Sequence, residues 1–123
     1  MVRGIRGAVT VKQNDGVEMV QATERLIAEM IEKNNIEPEN VCSAFISATN
    51  DLDAMFPARA LRELKGWENV PVMCMQELAV QGGLEKCIRI MMHVNTDASQ
   101  KEIQHVYLEG AVVLRPDLQQ STN

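Results

Sequence analysis

Aromatic residues are scarce in this sequence: they make up 3% of 123 residues, with one tryptophan, one tyrosine and two phenylalanines. Apolar residues still amount to 46%, so a core has to be filled by aliphatic side chains and by eight methionines, which adapt to irregular gaps. A chain of this length can bury about two thirds of its unfolded surface. We therefore predict a single domain over residues 1–123.

Long apolar runs are missing as well. No stretch approaches the roughly 20 apolar residues that a membrane-spanning helix needs. The opening MVRGIRGAVTV has neither the long apolar middle nor the small-residue cleavage site of a signal peptide. We expect a cytoplasmic protein without a membrane partner.

Basic runs are absent too, and the net charge is -5 with a pI of about 5.0. A nucleic-acid-binding protein usually carries a clustered basic surface, so we expect no nucleic-acid partner. The acidic balance also repels anions over the protein as a whole. An anionic ligand would therefore need a local cluster of arginines.

Familiar catalytic and metal-binding patterns do not occur: there is no G-x-S-x-G, Walker loop, H-E-x-x-H or G-x-G-x-x-G. Cys42, Cys74 and Cys87 are odd in number and have no C-x-x-C spacing, which disfavours disulfides and zinc. His93 and His105 lie on strand patterns and are interpreted as structural or surface residues rather than general bases. We expect reduced thiols, no metal and no nucleophilic mechanism.

One long helix is predicted over residues 17–34. Asp15 and Glu18 resemble a capping box in front of it. Apolar residues then recur at intervals of three and four and predict the buried face of this helix: Val17, Val20, Thr23, Ile27, Met30 and Ile31.

Five strands are predicted around the helix. Since one helix cannot cover both faces of such a sheet, we expect a homo-oligomer that buries the uncovered face. The last eight residues, 116–123, are expected to be a mobile tail. The predicted fold is therefore α+β, with a mixed five-stranded sheet and short helical turns. The strands are predicted at 1–11, 41–49, 70–75, 84–96 and 105–108, and a short helix at 57–64.

The stretch KCIRIMMHV, residues 86–94, has the composition of a buried strand but contains an arginine. An unpaired buried charge costs several kcal/mol, so Arg89 needs either a structural carboxylate or a negatively charged ligand. Alternation predicts two faces for this strand, Cys87, Arg89 and Met91 on one and Ile88, Ile90, Met92 and Val94 on the other.

Both explanations for the arginines stay open on spacing alone. Arg6 and Arg89 could pair with Glu77 or Asp51 and join the strands, or they could bind a carboxylate ligand, which suits the planar guanidinium. The arginines of interest stand in four places: Arg6, Arg59 with Arg62, Arg89, and Arg115.

The turn at 81–83 predicts a hairpin between the third and fourth strands. Such a hairpin would bring Cys74 and Glu77 beside Arg89. The simpler interpretations are a core thiol for Cys74 and a solvated carboxylate for Glu77. Tyr107 can equally be a packing residue with its hydroxyl at the surface.

Four runs carry a family resemblance: RGIRGAVTV, SATNDLDAMFPARALRELKGW, VPVMCMQELAVQGGLEKCIRIMMHV and HVYLEGAVVLRPDL. In order and spacing they resemble the monofunctional chorismate mutases of the AroH class, the Bacillus type. The resemblance implies a homotrimer in the form of a pseudo α/β-barrel, with active sites between neighbouring subunits. It also implies the isomerisation of chorismate to prephenate, a 3,3-sigmatropic rearrangement toward phenylalanine and tyrosine that needs no metal or cofactor.

Residue roles follow from the same resemblance. Arg89 would face the ether oxygen of chorismate, Arg6 a substrate carboxylate and Glu77 the ring hydroxyl. Tyr107 and the backbone around Cys74 would hold the other end of the substrate. The adjacent subunit would supply the segment from Phe56 to Arg62. The surrounding wall and the closing tail would be formed by Phe56, Ala58, Arg59, Arg62, Val72, Met73, Leu114 and Arg115.

A second class of function uses the same residues without chemistry. A trimeric protein could bind a carboxylate metabolite in an intersubunit arginine cleft, since a fold does not fix a function. A simple anion binder would not need five particular residues all at once, so their joint presence favours the enzyme. These residues are Arg6, Cys74, Glu77, Arg89 and Tyr107.

Overall fold

The computed structural model of the protein describes residues 1–114. The predictions for Arg115 and for the tail at 116–123 fall outside the described residues. Helices α1 and α2 and strands β1 to β5 are bounded as follows: β1 Val2–Thr10, α1 Gly16–Asn34, β2 Val41–Ala48, α2 Arg59–Arg62, β3 Val72–Gln76, β4 Cys87–Asn95 and β5 Val106–Leu108. Short 3-10 turns occur at Pro38–Asn40, Gln100–Glu102 and Glu109–Leu114.

The sheet has the strand order β3-β2-β4-β1-β5. β4 pairs antiparallel with both β1 and β2, while β1 pairs parallel with β5 and β2 parallel with β3. The predicted mixed five-stranded sheet with one long helix is therefore confirmed. The predicted hairpin of β3 with β4 is wrong, because β2 lies between these strands.

Helix α1 begins at a side-chain cap. The Asp15 carboxylate accepts a hydrogen bond of 2.9 Å from the amide of Glu18. The Glu18 carboxylate accepts from the amides of Lys12 and Gln13 at 2.8 and 3.0 Å. Half of the predicted capping box is thus present, and Glu18 instead ties the chain leaving β1 to the helix.

The buried face of α1 is rotated from the predicted one. Val17 is 66% exposed, whereas Leu26 is fully buried. Residues nine apart are separated by about two and a half turns, so Val17 and Leu26 point to opposite sides of the helix. The prediction for Val17 is wrong, and the side chains that pack on the sheet are Met19, Ala22, Thr23, Leu26, Ile27 and Met30.

Close packing of α1 on the sheet depends on Gly7 of β1. A Cβ atom at this position would lie 2.5 Å from the sulfur of Met30 and 3.0 Å from Cδ1 of Leu26. Glycine at position 7 therefore permits the close approach of strand and helix. The helix thereby covers one face of the sheet and buries its side chains Ile5, Val9, Ile46, Ile90 and Met92.

The other face of the sheet, the open face, carries no α-helix in the described part of the chain; the 3-10 turn Glu109–Leu114 packs on part of it. Phe45, Met73 and Met75 remain 36%, 61% and 44% exposed on β2 and β3. This is the uncovered apolar face that the strand count predicted. None of the helices in residues 1–114 has the length and apolar character needed to cross a membrane.

Candidate active site

The open face contains a cavity of about 320 Å³ over β1, β2 and β4. Its polar lining consists of the five side chains Arg6, Ser47, Glu77, Arg89 and Tyr107. Apolar side chains close the cavity, among them Phe45, Met75, Met91 and Leu114.

Strict alternation along β4 turns Arg89 into this cavity. Ile88, Ile90 and Met92 are at most 2% exposed and pack in the helix-side core, so the residues between them face the other way. The two predicted faces of β4 are confirmed. Arg89 stands directly opposite Ser47 of β2 and Ala8 of β1.

Arg89 has a carboxylate neighbour within the chain. Its Nε lies 3.3 Å from Oε2 of Glu77. The structural ion pair that the sequence left open is therefore present for Arg89. Arg6, Glu77 and Asp51 all lie within residues 1–114, and no salt bridge joins Arg6 to either carboxylate.

The contact between Arg89 and Glu77 is an ion pair without a directed hydrogen bond. Nε of Arg89 is buried, yet it makes no hydrogen bond to any described residue. The hydroxyl of Tyr107 is in the same state, buried and without a described hydrogen-bond partner. Buried polar atoms are nearly always satisfied, so these two donors leave hydrogen-bonding capacity beside the cavity that the described part of the chain does not use.

The Glu77 carboxylate is held by two other donors. The Ser47 hydroxyl donates to Oε2 at 3.2 Å, and the amide of Leu78 donates to Oε1 at 3.1 Å. The Glu77 amide donates to the carbonyl of Ala48 at 2.9 Å and so extends the pairing of β3 with β2. Glu77 reaches Arg89 across the end of β2, because β3 and β4 do not touch as a hairpin.

The start of β4 is fixed by a small hydrogen-bond network. Asp51 accepts from the Thr49 hydroxyl and from the amide of Lys86, whose φ is 47°. The Thr49 hydroxyl accepts in turn from the amide of Cys87 at 3.0 Å. Burial alone would raise the pKa of Asp51, but the hydrogen bonds outweigh it and hold the pKa below its usual value. An ionised Asp51 thus anchors the chain three residues before Arg89.

Cys87 lies next to this site as a buried thiol. Burial raises its pKa, against the opposing effect of the nearby Arg89 guanidinium. It packs with Ala8, Tyr107 and Ala111 on the open face. All three cysteines of the sequence are free in this structure. No group of His, Cys, Asp or Glu within residues 1–114 is arranged to hold a metal ion.

The remaining predicted site residues are spread over the molecule. Leu114 lines the cavity, while Cys74 and Val72 pack against the helix-side core from β3. Arg59 pairs with Glu63 at 2.8 Å outside the cavity. The rest also lie away from the cavity lining of this chain: Phe56 at 68% exposure, Ala58 at 2%, Arg62 exposed and Met73 at 61%.

Ser47 is the polar cavity residue that sequence reasoning missed. Alternation along the predicted strand at 41–49 puts Ser43, Phe45 and Ser47 on one face, which is a usable signal. Pairing that strand with β4 would have placed Ser47 opposite Arg89. The sequence gives no local indication that β2 lies between β3 and β4.

The fold and the cavity define a small α+β protein with a cationic pocket suited to a carboxylate-bearing molecule. The model of the family described as chorismate mutase type I matches residues 2–118. The chain therefore belongs to the chorismate mutase type I family, and the resemblance seen in the sequence is confirmed.

Individual relatives agree with this membership. The chain is 56% identical over 123 residues to chorismate mutase AroH of Bacillus subtilis (strain 168), covering 100% of this chain and 97% of the relative. It is 42% identical over 120 residues to chorismate mutase AroH of Thermus thermophilus, covering 97% and 98%. A solved structure of chorismate mutase from Clostridium thermocellum superposes with a TM-score of 0.87 at 52% identity, covering 90% of this chain and 98% of that one.

Proposed function

We propose that the protein isomerises chorismate to prephenate in the cavity around Arg89, in the biosynthesis of phenylalanine and tyrosine. The observation that carries this assignment is that two arginines, a carboxylate and a phenol, Arg6, Arg89, Glu77 and Tyr107, line one cavity. Chorismate has two carboxylates, an ether oxygen and a ring hydroxyl, which match cationic, donor and acceptor groups of this kind.

The reaction needs no group from the protein to make or break a covalent bond. The ether C–O bond breaks while a C–C bond forms within the same molecule, and negative charge grows on the ether oxygen. Arg89 donates a hydrogen bond to that oxygen and stabilises the transition state more than the ground state. No proton has to be transferred, which agrees with a site built from arginine, carboxylate and phenol groups.

The magnitudes are adequate for such a mechanism. An acceleration of about a million corresponds to roughly 8 kcal/mol. One well-placed donor to a developing oxyanion contributes about 3 to 4 kcal/mol. The remainder comes from holding the flexible substrate in its compact reactive conformer, where the ends that bond are already close.

The other site residues orient the substrate in this proposal. Arg6 binds a carboxylate, Glu77 accepts from the ring hydroxyl, and Tyr107 with the backbone around Cys74 holds the far end. Tyr107 lines the cavity, and its hydroxyl has no hydrogen-bond partner among the described residues, which supports its assignment. Because the Cys74 side chain packs against the core, only the backbone of β3 is assigned a role there.

We further propose a homotrimer with its active sites between subunits, in the form of a pseudo α/β-barrel. The exposed apolar side chains of the open face support an assembly that buries them. Phe56, Arg59 and Arg62 lie outside the cavity of their own chain, and a neighbouring chain supplies them in this arrangement. The free thiols support a reducing compartment, and we assign the reaction to the cytoplasm.

The activity is tested by following the consumption of chorismate by ultraviolet absorbance and identifying the product. We expect conversion to prephenate by the purified protein with no added metal or cofactor. A correctly assembled protein that binds chorismate without converting it would reject the enzymatic assignment and support the binding protein that uses the same cleft.

The shared active site is tested by hybrids of two inactive variants. Arg89→Ala and Arg62→Ala damage different sides of a site that two chains complete. When the two variants are unfolded together and refolded, hybrids that contain both chains should regain activity that neither variant has alone. Each variant refolded by itself is the control. Hybrids with no more activity than the parent variants would show that Arg62 and Arg89 do not serve one site from two chains.

A further inference from the structure

We infer that Ser47 is a positioning residue that keeps Arg89 available to the substrate by restraining the Glu77 carboxylate. This inference rests on the proposed function of the cavity and adds a residue to it. Ser47 is partly buried on β2, lines the cavity, and lies opposite Arg89 in the strand register.

The geometry around Glu77 is unusual for an arginine and a carboxylate in contact. Such groups commonly form two parallel hydrogen bonds. Here the closest approach is 3.3 Å, from Nε of Arg89 to Oε2 of Glu77, and Nε–H is not directed at the oxygen. The pair is held in contact but is not locked together.

Ser47 and Leu78 account for this arrangement. The Ser47 hydroxyl donates to Oε2, the same oxygen that Arg89 approaches, and the amide of Leu78 donates to Oε1. Both oxygens therefore already accept a hydrogen bond from donors that β2 and the end of β3 fix in place. A carboxylate held in this way does not rotate to face the guanidinium. The guanidinium of Arg89, whose side chain is 40% exposed, therefore stays available to donate to the ether oxygen of chorismate.

Removal of the Ser47 hydroxyl releases one of the two restraints. In Ser47→Ala, Glu77 should turn toward Arg89 and form the paired hydrogen bonds. The donor for the transition state is then engaged before the substrate arrives. We expect kcat to fall about ten- to a hundredfold, the size of losing a hydrogen bond to a charged group, while KM changes much less.

Two variants of the same strand provide controls. Ser47→Thr keeps the hydroxyl on a side chain that suits a strand, and it should retain most of the activity. Ser43→Ala removes a serine hydroxyl from the same face of β2, where it contacts Nδ1 of His93 at 3.2 Å. This variant should leave kcat unchanged. Equal losses in Ser47→Ala and Ser47→Thr would overturn the inference.

A double-mutant cycle separates restraint of Glu77 from any direct effect of Ser47. Glu77→Gln removes the charge that would capture Arg89, so Ser47→Ala should add little further loss in that background. Independent, multiplicative losses would reject the assigned role.

The state of Arg89 in the free protein gives a readout apart from turnover. The Nε–H resonance of Arg89, assigned by its disappearance in Arg89→Lys, should shift in Ser47→Ala and stay in place in Ser43→Ala. An unchanged resonance in Ser47→Ala would reject the inference even if the wild-type enzyme is active. Lack of turnover by the wild type would instead reject the proposed function.

Discussion

Replacing Arg89 with lysine should lower kcat for chorismate by well over about tenfold, and replacing it with alanine by about 10²- to 10³-fold or more. Lysine keeps the positive charge, but it lacks the planar fork and has no donor where Nε is buried. The loss should lie mainly in kcat, because Arg89 acts on charge that develops in the transition state. Steady-state kinetics on both variants, with circular dichroism to establish folding, measures this effect.

Arg25 provides the matched control for Arg89. It is exposed on α1, away from the open face of the sheet, so Arg25→Ala removes an arginine without touching the cavity. Its kcat and KM should equal those of the wild type. A lysine variant at position 89 with unchanged turnover would remove Arg89 from the mechanism.

Leu26→Ala should cost about 2 to 5 kcal/mol of the free energy of unfolding, the largest stability loss that we predict. Leu26 is fully buried on α1, where the helix packs against Gly7 of β1. Because the helix and the strand are already in close contact there, they cannot move together to fill the cavity that alanine leaves. Urea unfolding of the variant measures the change, provided that protein concentration is held fixed for an assembling protein.

Val17→Ala on the same helix tests the observed rotation of its buried face. The sequence pattern put Val17 among the buried residues, whereas its side chain is 66% exposed. We expect the free energy of unfolding to change by no more than about 0.5 kcal/mol. A large loss in this variant, or a small one in Leu26→Ala, would mean that α1 packs on the sheet through a different face.

The sequence predicted the structure best where the periodicity of a single local segment was sufficient. The two faces of β4 follow from simple alternation, and the structure has Arg89 and the buried isoleucines on the predicted sides. The face of α1 was harder to predict, because apolar residues such as Val17 also occur on the exposed side and broaden the pattern. The six residues named for that face left out Leu26, which packs at its centre.

Strand order could not be obtained in this way. A turn at 81–83 suggested that β3 and β4 are neighbours, but the parallel pairing of β2 with β3 depends on contacts between distant parts of the chain. The observed strand order β3-β2-β4 brings Ser47 between Glu77 and Arg89. The wrong prediction of a β3–β4 hairpin and the failure to predict Ser47 therefore have the same cause. The residues that the resemblance assigned to a second chain, Phe56 and Arg62 among them, cannot be assembled into a site from one chain alone.

The position of β4 in the sheet has a consequence for how the protein is made. This strand joins the two halves of the sheet, pairing Val2 with Asn95 on one side and Ala48 with Ile88 on the other. Neither β1 nor β2 has its antiparallel partner until the ribosome has released most of the sequence. Pairings over such sequence separations are slow to form. In the nascent chain β1 therefore stays unpaired and β2 can pair only with β3 until β4 has emerged, and the two halves of the sheet come together only then.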